Sequence, residues 1–178
     1  MVGADDLTLV EQAQRGDRVA FGVLVERYQV QVYNVAFRIT GDRAEAEDVA
    51  QNVFLKVYEN LASFDPRRKL FSRIYRIAIN EALNAERRRK SHEGLEEQTA
   101  SLDTPVDRFD RAEIIQASLL ALKPEYRAVL VLRHFQDLSY EQIGEALGIP
   151  VRKVRSRLFT ARALLRELLE RRGLQRGD

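Results

Sequence analysis

A chain of 178 residues, 45% hydrophobic and 31% charged, has enough apolar material for a packed core and enough charge for a soluble surface. It contains no cysteine, which excludes a disulfide framework and any thiolate metal site. The first nine residues carry two aspartates and no apolar core, unlike a signal peptide, and no apolar run approaches a membrane span. The expectation is a soluble, cytoplasmic protein without membrane insertion.

The net charge of +2 conceals an alternation. Residues 1–64 carry −4, residues 65–90 carry +6, residues 91–109 carry −4 and residues 110–178 carry +4. Two separated basic blocks suggest two places where a polyanion can sit.

In chain order, Asp17 is placed to cap a helix whose buried face is Phe21, Leu24, Val25, Tyr28, Val32, Val35, Ala36 and Ile39. Gly41 stops it, and Asp42 caps a second helix with the stripe Ala46, Val49, Ala50, Val53, Phe54, Val57 and Leu61. Asp65-Pro66 breaks the pattern. A third helix follows from about Lys69 to Lys90, with Leu70, Ile74, Ile77 and Ala78 on one side and arginines on the other. From Ser91 the periodicity disappears, and residues 91–108 read as a flexible acidic linker. Ile114, Ile115, Leu119 and Leu122 restore a helical stripe, and Lys123-Pro124 turns the chain into a helix with Val129, Leu130 and Leu132. The fold expected is all-α: an N-terminal domain over 1–90, the linker, and a smaller C-terminal domain over 109–178.

The sharpest local signal lies between Leu138 and Arg162. Ser139-Tyr140-Glu141-Gln142 fits a capping box, Ile143 and Leu147 give an apolar face, and Gly144 leaves room for a second helix. Gly148 ends the first helix, Ile149-Pro150 makes the turn, and a second helix starts near Val151. Val154, Leu158 and Ala161 form its buried side, leaving Arg152, Lys153, Arg155, Ser156, Arg157 and Arg162 outside. This is a helix-turn-helix, whose second helix enters a major groove and reads base edges.

The basic helix upstream mixes arginines, aromatics and asparagines, the residue types that capture a single strand through phosphate, stacking and base-edge contacts. Catalytic chemistry finds no home. His92 and His134 are isolated, there is no Gly-rich phosphate loop, and the carboxylates are scattered over helix surfaces. No enzyme activity, metal or cofactor is expected.

Three stretches occur in order: Ala46-Glu47-Asp48-Val49-Ala50-Gln51-Asn52-Val53-Phe54-Leu55, Tyr75-Arg76-Ile77-Ala78-Ile79-Asn80, and Leu138 to Gly144 followed by Val154-Arg155-Ser156-Arg157-Leu158. Together they resemble the extracytoplasmic-function (ECF) subfamily of the bacterial sigma-70 factors. The resemblance implies a transcription-initiation factor that binds core RNA polymerase and promoter DNA, both double-stranded and as the melted strand. It also implies restraint by an anti-sigma factor. By position, Glu47, Asp48, Gln51, Phe54 and Leu55 look like the core-docking surface. Arg73, Arg76, Asn80, Asn84, Arg87 and Arg88 look like the minus-ten contacts, and the outer residues of the last helix look like the minus-thirty-five contacts. Three positions depart from the family pattern. Arg73 stands where tryptophan is usual, Asn52 where an acid is common, and Arg152-Lys153 where Gly-Thr is common; Phe71 or Tyr75 is the expected substitute for the missing aromatic. The competing reading is a conventional helix-turn-helix regulator with a sensing or dimerising N-terminal domain.

Overall fold

The computed structural model describes residues 4–65, 69–92 and 110–174. Among these residues there is no strand. The helices are α1 (Ala4–Gln14), α2 (Arg18–Thr40), α3 (Arg43–Glu59), α4 (Leu70–His92), α5 (Arg111–Leu120), α6 (Pro124–His134), α7 (Tyr140–Leu147) and α8 (Val151–Arg171), with a 3-10 turn at Leu61–Ser63. Most of the expected linker, residues 93–108, lies outside the described residues, as does Pro66.

The helix ends follow from short-range chemistry. Asp17 accepts from the backbone N–H groups of Val19 and Ala20 and so opens α2, while Gly41, at φ 75°, closes it. Asp42 accepts from Glu45 N–H and starts α3. Pro124 occupies the first turn of α6, where its missing N–H costs nothing. α4 runs to His92, two residues beyond the expected end.

The expected stripes of α2 and α3 supply the first layer of core: Leu24, Val32, Val35, Ala36 and Ile39 face Ala46, Val49, Val53 and Val57. In α4 the assignment shifts. Ile77 is only half-buried, whereas Phe71, Tyr75 and Ile79 are buried beside Leu70, Ile74 and Ala78. Phe71 and Tyr75 therefore cannot supply the exposed aromatic expected of them, because the core takes both rings.

α1 was not expected, since its periodicity is weak. It is held by tertiary contacts instead. Val10 and Ala13 enter the core, and the buried Asp6 carboxylate accepts from the Tyr28 hydroxyl and the Arg27 guanidinium. The Gln14 amide donates to the carbonyls of Leu61 (2.9 Å) and Phe64 (2.8 Å), tying α1 to the 3-10 turn. Burial, then the bond to Asp6, raises the Tyr28 pKa above its ordinary value.

The two halves, α1–α4 and α5–α8, share one continuous core. At its centre lies Arg127 of α6, 1% exposed. Its five N–H groups are all used, on the carbonyls of Leu119 (3.0 Å), Leu120 (2.8 Å), Leu122 (3.0 Å) and Ile39 (2.6 Å) and on Glu86 Oε2 (2.8 Å). It closes the end of α5 and at the same time fastens α6 to α2 and α4.

Candidate nucleic-acid interface

The helix-turn-helix is built by local rules. In α7 the Ser139 hydroxyl accepts from Gln142 N–H (3.2 Å) and Gln142 Oε1 accepts from Ser139 N–H (2.7 Å), the reciprocal capping box. Gly148 adopts φ 65°, which glycine tolerates without strain. A Cβ on Gly144 would lie 2.9 Å from the Ile149 carbonyl oxygen, so the turn closes over glycine only. Replacing Ser139 by alanine is expected to destabilise the fold by about 0.5–2 kcal/mol, measured as a shift of the urea midpoint with unchanged slope.

In α8, Val154, Leu158 and Ala161 are fully buried and Arg152, Lys153, Arg155, Ser156 and Arg162 are exposed. Arg157 is placed differently. Its side chain is mostly covered and pairs with Glu125 of α6 at 2.6 Å, so it braces α8 against α6. Phe159 is 79% exposed. It follows Arg152, Arg155 and Ser156 at helical spacing on the same outer face, and sequence reading passed over it. The signal was available: a large aromatic at a position where the pattern demands a polar residue.

Arg162 Nε lies 3.4 Å from His134 Nε2. Burial, then the nearby Arg162 and Arg133, lowers the His134 pKa from its ordinary value of 6.5. The folded state thus favours neutral His134. Its contribution is present above pH 6.5 and is lost as pH falls through the depressed folded value. Thermal melts should therefore show stability falling on acidification in this range, and His134→Gln should flatten that part of the profile.

On α4, residues 73, 76, 80, 84 and 87 recur every three or four positions and 88 follows four after 84, which places all six within about 120° of one another around the helix at roughly 100° per residue. Arg76, Asn80, Arg87 and Arg88 are exposed, and Arg73 and Asn84 are half-buried. Arg73 leans on the loop before α4, with its guanidinium 5.3 Å from the Phe64 ring centroid and 3.4 Å from the Asn60 carbonyl. Beside this face opens a cleft of about 910 Å³ lined by Lys56, Asn60, Ser63, Phe64, Asp65, Lys69, Ser72, Arg73, Arg76, Ile77 and Glu145. The loop residues Asn60, Ser63 and Phe64 were not expected in the site, because no periodicity links a loop to a helix that follows it.

The third surface lies between α2 and α3. Phe21, Val25, Ala50, Gln51, Phe54, Leu55 and Tyr58, with Arg18 and Gln29, line a mainly apolar groove of about 590 Å³. Phe21 and Tyr58 pack edge to face at 4.9 Å and form its floor. Glu47, Asp48 and Gln51 are exposed, Leu55 is 58% exposed and Phe54 is half-buried. The five expected docking residues thus share one face of α3 by helical spacing, and Gln51, Phe54 and Leu55 among them line the groove.

The α4 face meets α7 of the other half. Arg76 donates through Nε to the Ala146 carbonyl (3.2 Å) and through Nη2 to that of Glu145 (3.0 Å). The Glu145 carboxylate accepts from Ser72 Oγ at 2.9 Å and lies 3.8 Å from Lys69 Nζ. The Tyr75 hydroxyl donates to Gln136 Oε1 (3.0 Å), and burial pushes its pKa up to about 12.

Among the described residues no group of histidines and carboxylates is arranged to hold a metal ion, and no helix is long and apolar enough to cross a membrane. The family model for sigma-70 region 2 matches residues 24–92, and that for sigma-70 region 4 matches residues 112–165. The chain is 34% identical to the ECF RNA polymerase sigma factor SigW of Bacillus subtilis, over 90% of this chain and 94% of that one. It is 35% identical to the RNA polymerase sigma-H factor of Pseudomonas aeruginosa, over 93% and 94%. Among solved structures it is similar to CnrH in complex with the cytosolic domain of CnrY, with TM-score 0.74, 27% identity, and 93% and 97% of the two chains covered. Its fold is also that of RpoE from Bartonella quintana, solved with the anti-sigma factor NepR, with TM-score 0.69, 21% identity, and 84% and 96% covered.

Proposed function

Since the chain belongs to the ECF subfamily of sigma-70 factors, DNA-binding initiation factors rather than catalytic enzymes, we propose how its residues divide that work. The 590 Å³ groove docks on core RNA polymerase, through Gln51, Phe54 and Leu55 in its lining and Glu47 and Asp48 exposed on the same helix. The α4 face and its neighbouring cleft take the minus-ten element. Asn80 and Asn84 meet bases, and Arg73, Arg76, Arg87 and Arg88 hold the strand. Unstacking a base costs a few kcal/mol, which a protein pocket for the unpaired base offsets; the cleft beside α4 has the size and the polar lining for that task.

The outer face of α8 reads the minus-thirty-five element. Arg152, Arg155 and Ser156 meet the groove floor, and Lys153 and Arg162 hold phosphates. Phe159 offers the apolar contact that a thymine methyl accepts. Arg157 supports the helix through Glu125. The chain itself makes and breaks no covalent bond, and it acts in the cytoplasm, where the polymerase is. An anti-sigma factor, as NepR is for RpoE, is a proposed further partner.

The carrying observation is the ordered alignment of Arg73, Arg76, Asn80, Asn84, Arg87 and Arg88 on one face of α4 within the region 2 match. A conventional regulator has no use for that face. Run-off transcription with purified core polymerase and a promoter library should yield transcripts that depend on this chain. Asn80→Ala should reduce them at least about tenfold while leaving core binding intact. Phe159→Ala should change the minus-thirty-five sequences recovered by selection, most of all at thymines. Absence of any chain-dependent transcript, with no binding to core, would defeat the assignment of roles.

A further inference from the structure

A single strand is held by cations on its phosphates, by flat groups on its base faces and by polar groups on its base edges. In the cleft beside α4, Lys56, Lys69, Arg73 and Arg76 bring charge, and Asn60, Ser63 and Ser72 bring polar edges. Flat groups are scarce. Among the described residues the one aromatic ring in the lining belongs to Phe64, which is 5% exposed, and the core takes Phe71 and Tyr75.

The four cations are not equivalent. Lys56 pairs with Glu81 at 2.6 Å, Lys69 faces Glu145 at 3.8 Å, and Arg76 donates to two carbonyls of α7. Arg73 is held otherwise. Its guanidinium lies over the Phe64 ring, and its Nη2 donates to the Asn60 carbonyl at 3.4 Å. The residue is half-buried and lines the cleft. A guanidinium is planar and weakly hydrated, and it stacks on aromatic faces. Unpaired bases stack on guanidinium planes as they do on aromatic rings. Arg73 thus sets a flat, anchored group where the cleft has no accessible ring.

We propose that Arg73 is the stacking platform of this cleft. Backed by Phe64 and anchored on Asn60, its guanidinium takes the face of an unpaired base of the minus-ten strand. That contact, rather than its charge on a phosphate, sets its share in opening the promoter. The inference rests on the assignment of α4 to the minus-ten element and names the chemistry of one residue within it. The spacing fits. Arg73 lies seven residues before Asn80, about 10 Å along the axis at roughly 1.5 Å per residue. One base stacks at that end while its neighbours reach the amides of Asn80 and Asn84.

Two substitutions separate the plane from the charge. Arg73→Lys keeps the charge and loses the plane, and Arg73→Trp keeps a plane and loses the charge. Each full-length variant is assembled with core polymerase on a promoter that the parent transcribes, with 2-aminopurine in the minus-ten element reporting strand opening. Stacking predicts that Arg73→Lys lowers the open-complex equilibrium constant at least about fivefold, while Arg73→Trp stays within about twofold of the parent. Binding of each holoenzyme to a single-stranded minus-ten oligonucleotide should follow the same order. Arg88, exposed on the same face, should show the opposite order, since lysine can replace arginine on a phosphate and tryptophan cannot.

A near-parental Arg73→Lys beside an impaired Arg73→Trp overturns the inference and leaves Arg73 a phosphate contact. Equal losses in both overturn it as well, and a matching drop in melting temperature then makes the residue a brace for the loop before α4. Two variants that both open the promoter like the parent overturn it too. In each of these cases, impaired opening by Asn80→Ala keeps the assignment of α4 and only the stacking is lost. If Asn80→Ala also transcribes like the parent, the assignment of α4 falls with it.

Discussion

Arg127→Met is expected to lower the unfolding free energy by about 3–5 kcal/mol, the range for breaking a buried ion pair from one side. Against a typical domain stability of roughly 5–15 kcal/mol, that loss decides whether the chain folds at physiological temperature. Its origin is not the single pair with Glu86. Removing the guanidinium leaves the carboxylate in the core and deprives four carbonyls of a donor. Lys90, 2.9 Å from the other Glu86 oxygen, softens the first loss and does nothing for the second. Arg127→Lys should recover little, because one ammonium has three donors and no planar fork. Glu86→Gln should cost less than Arg127→Met, since an amide oxygen still accepts from the guanidinium. Urea unfolding followed by circular dichroism gives the ranking. A loss below about 1 kcal/mol for Arg127→Met would contradict a buried, fully bonded guanidinium.

Leu55→Glu is expected to weaken binding to core polymerase by about 30- to 5000-fold, the equivalent of roughly 2–5 kcal/mol for an unpaired charge buried at an interface. Leu55 is 58% exposed in the free chain, so the substitution should leave the melting temperature nearly unchanged. That separation of effects makes the experiment decisive for the groove. Leu55→Ala should lose far less, because it removes contact without adding a buried charge. Affinity measured by competition against the parent chain, together with a thermal melt, reads both quantities. Wild-type affinity for Leu55→Glu would move the docking surface elsewhere.

Much of this architecture was legible in the residues because the signals were local. Asp17, Gly41, Asp42, Ser139, Gln142 and Gly148 each act on backbone groups a few positions away, and each does what its type predicts. The stripes of α2, α3 and α8 were legible for the same reason, since one period describes a whole face. What escaped depends on groups far apart in sequence. α1 has too little apolar periodicity of its own and is held by Tyr28, Leu61 and Phe64. Arg127 looked like any helical arginine, because its five acceptors come from three separate stretches of chain. Phe71 and Tyr75 share a helix with the arginines of the binding face, and only the packing of α4 on α2, α3 and α7 shows that the rings point inward. Arg157, spaced like its basic neighbours, is set apart by the position of Glu125 on α6.

The five-fold engagement of Arg127 also bears on biosynthesis. Glu86 and the Ile39 carbonyl leave the ribosome before their partner on α6 exists, so the N-terminal half is first made with a carboxylate that has no guanidinium to meet. At roughly 5–20 residues per second, the interval between synthesis of residues 86 and 127 lasts on the order of a few seconds. During it Lys90, one turn along the same helix, is the cation beside the Glu86 carboxylate. Arrival of α6 ends that window. The guanidinium that completes the core also brings the second half onto the first, so maturation and closure become one event.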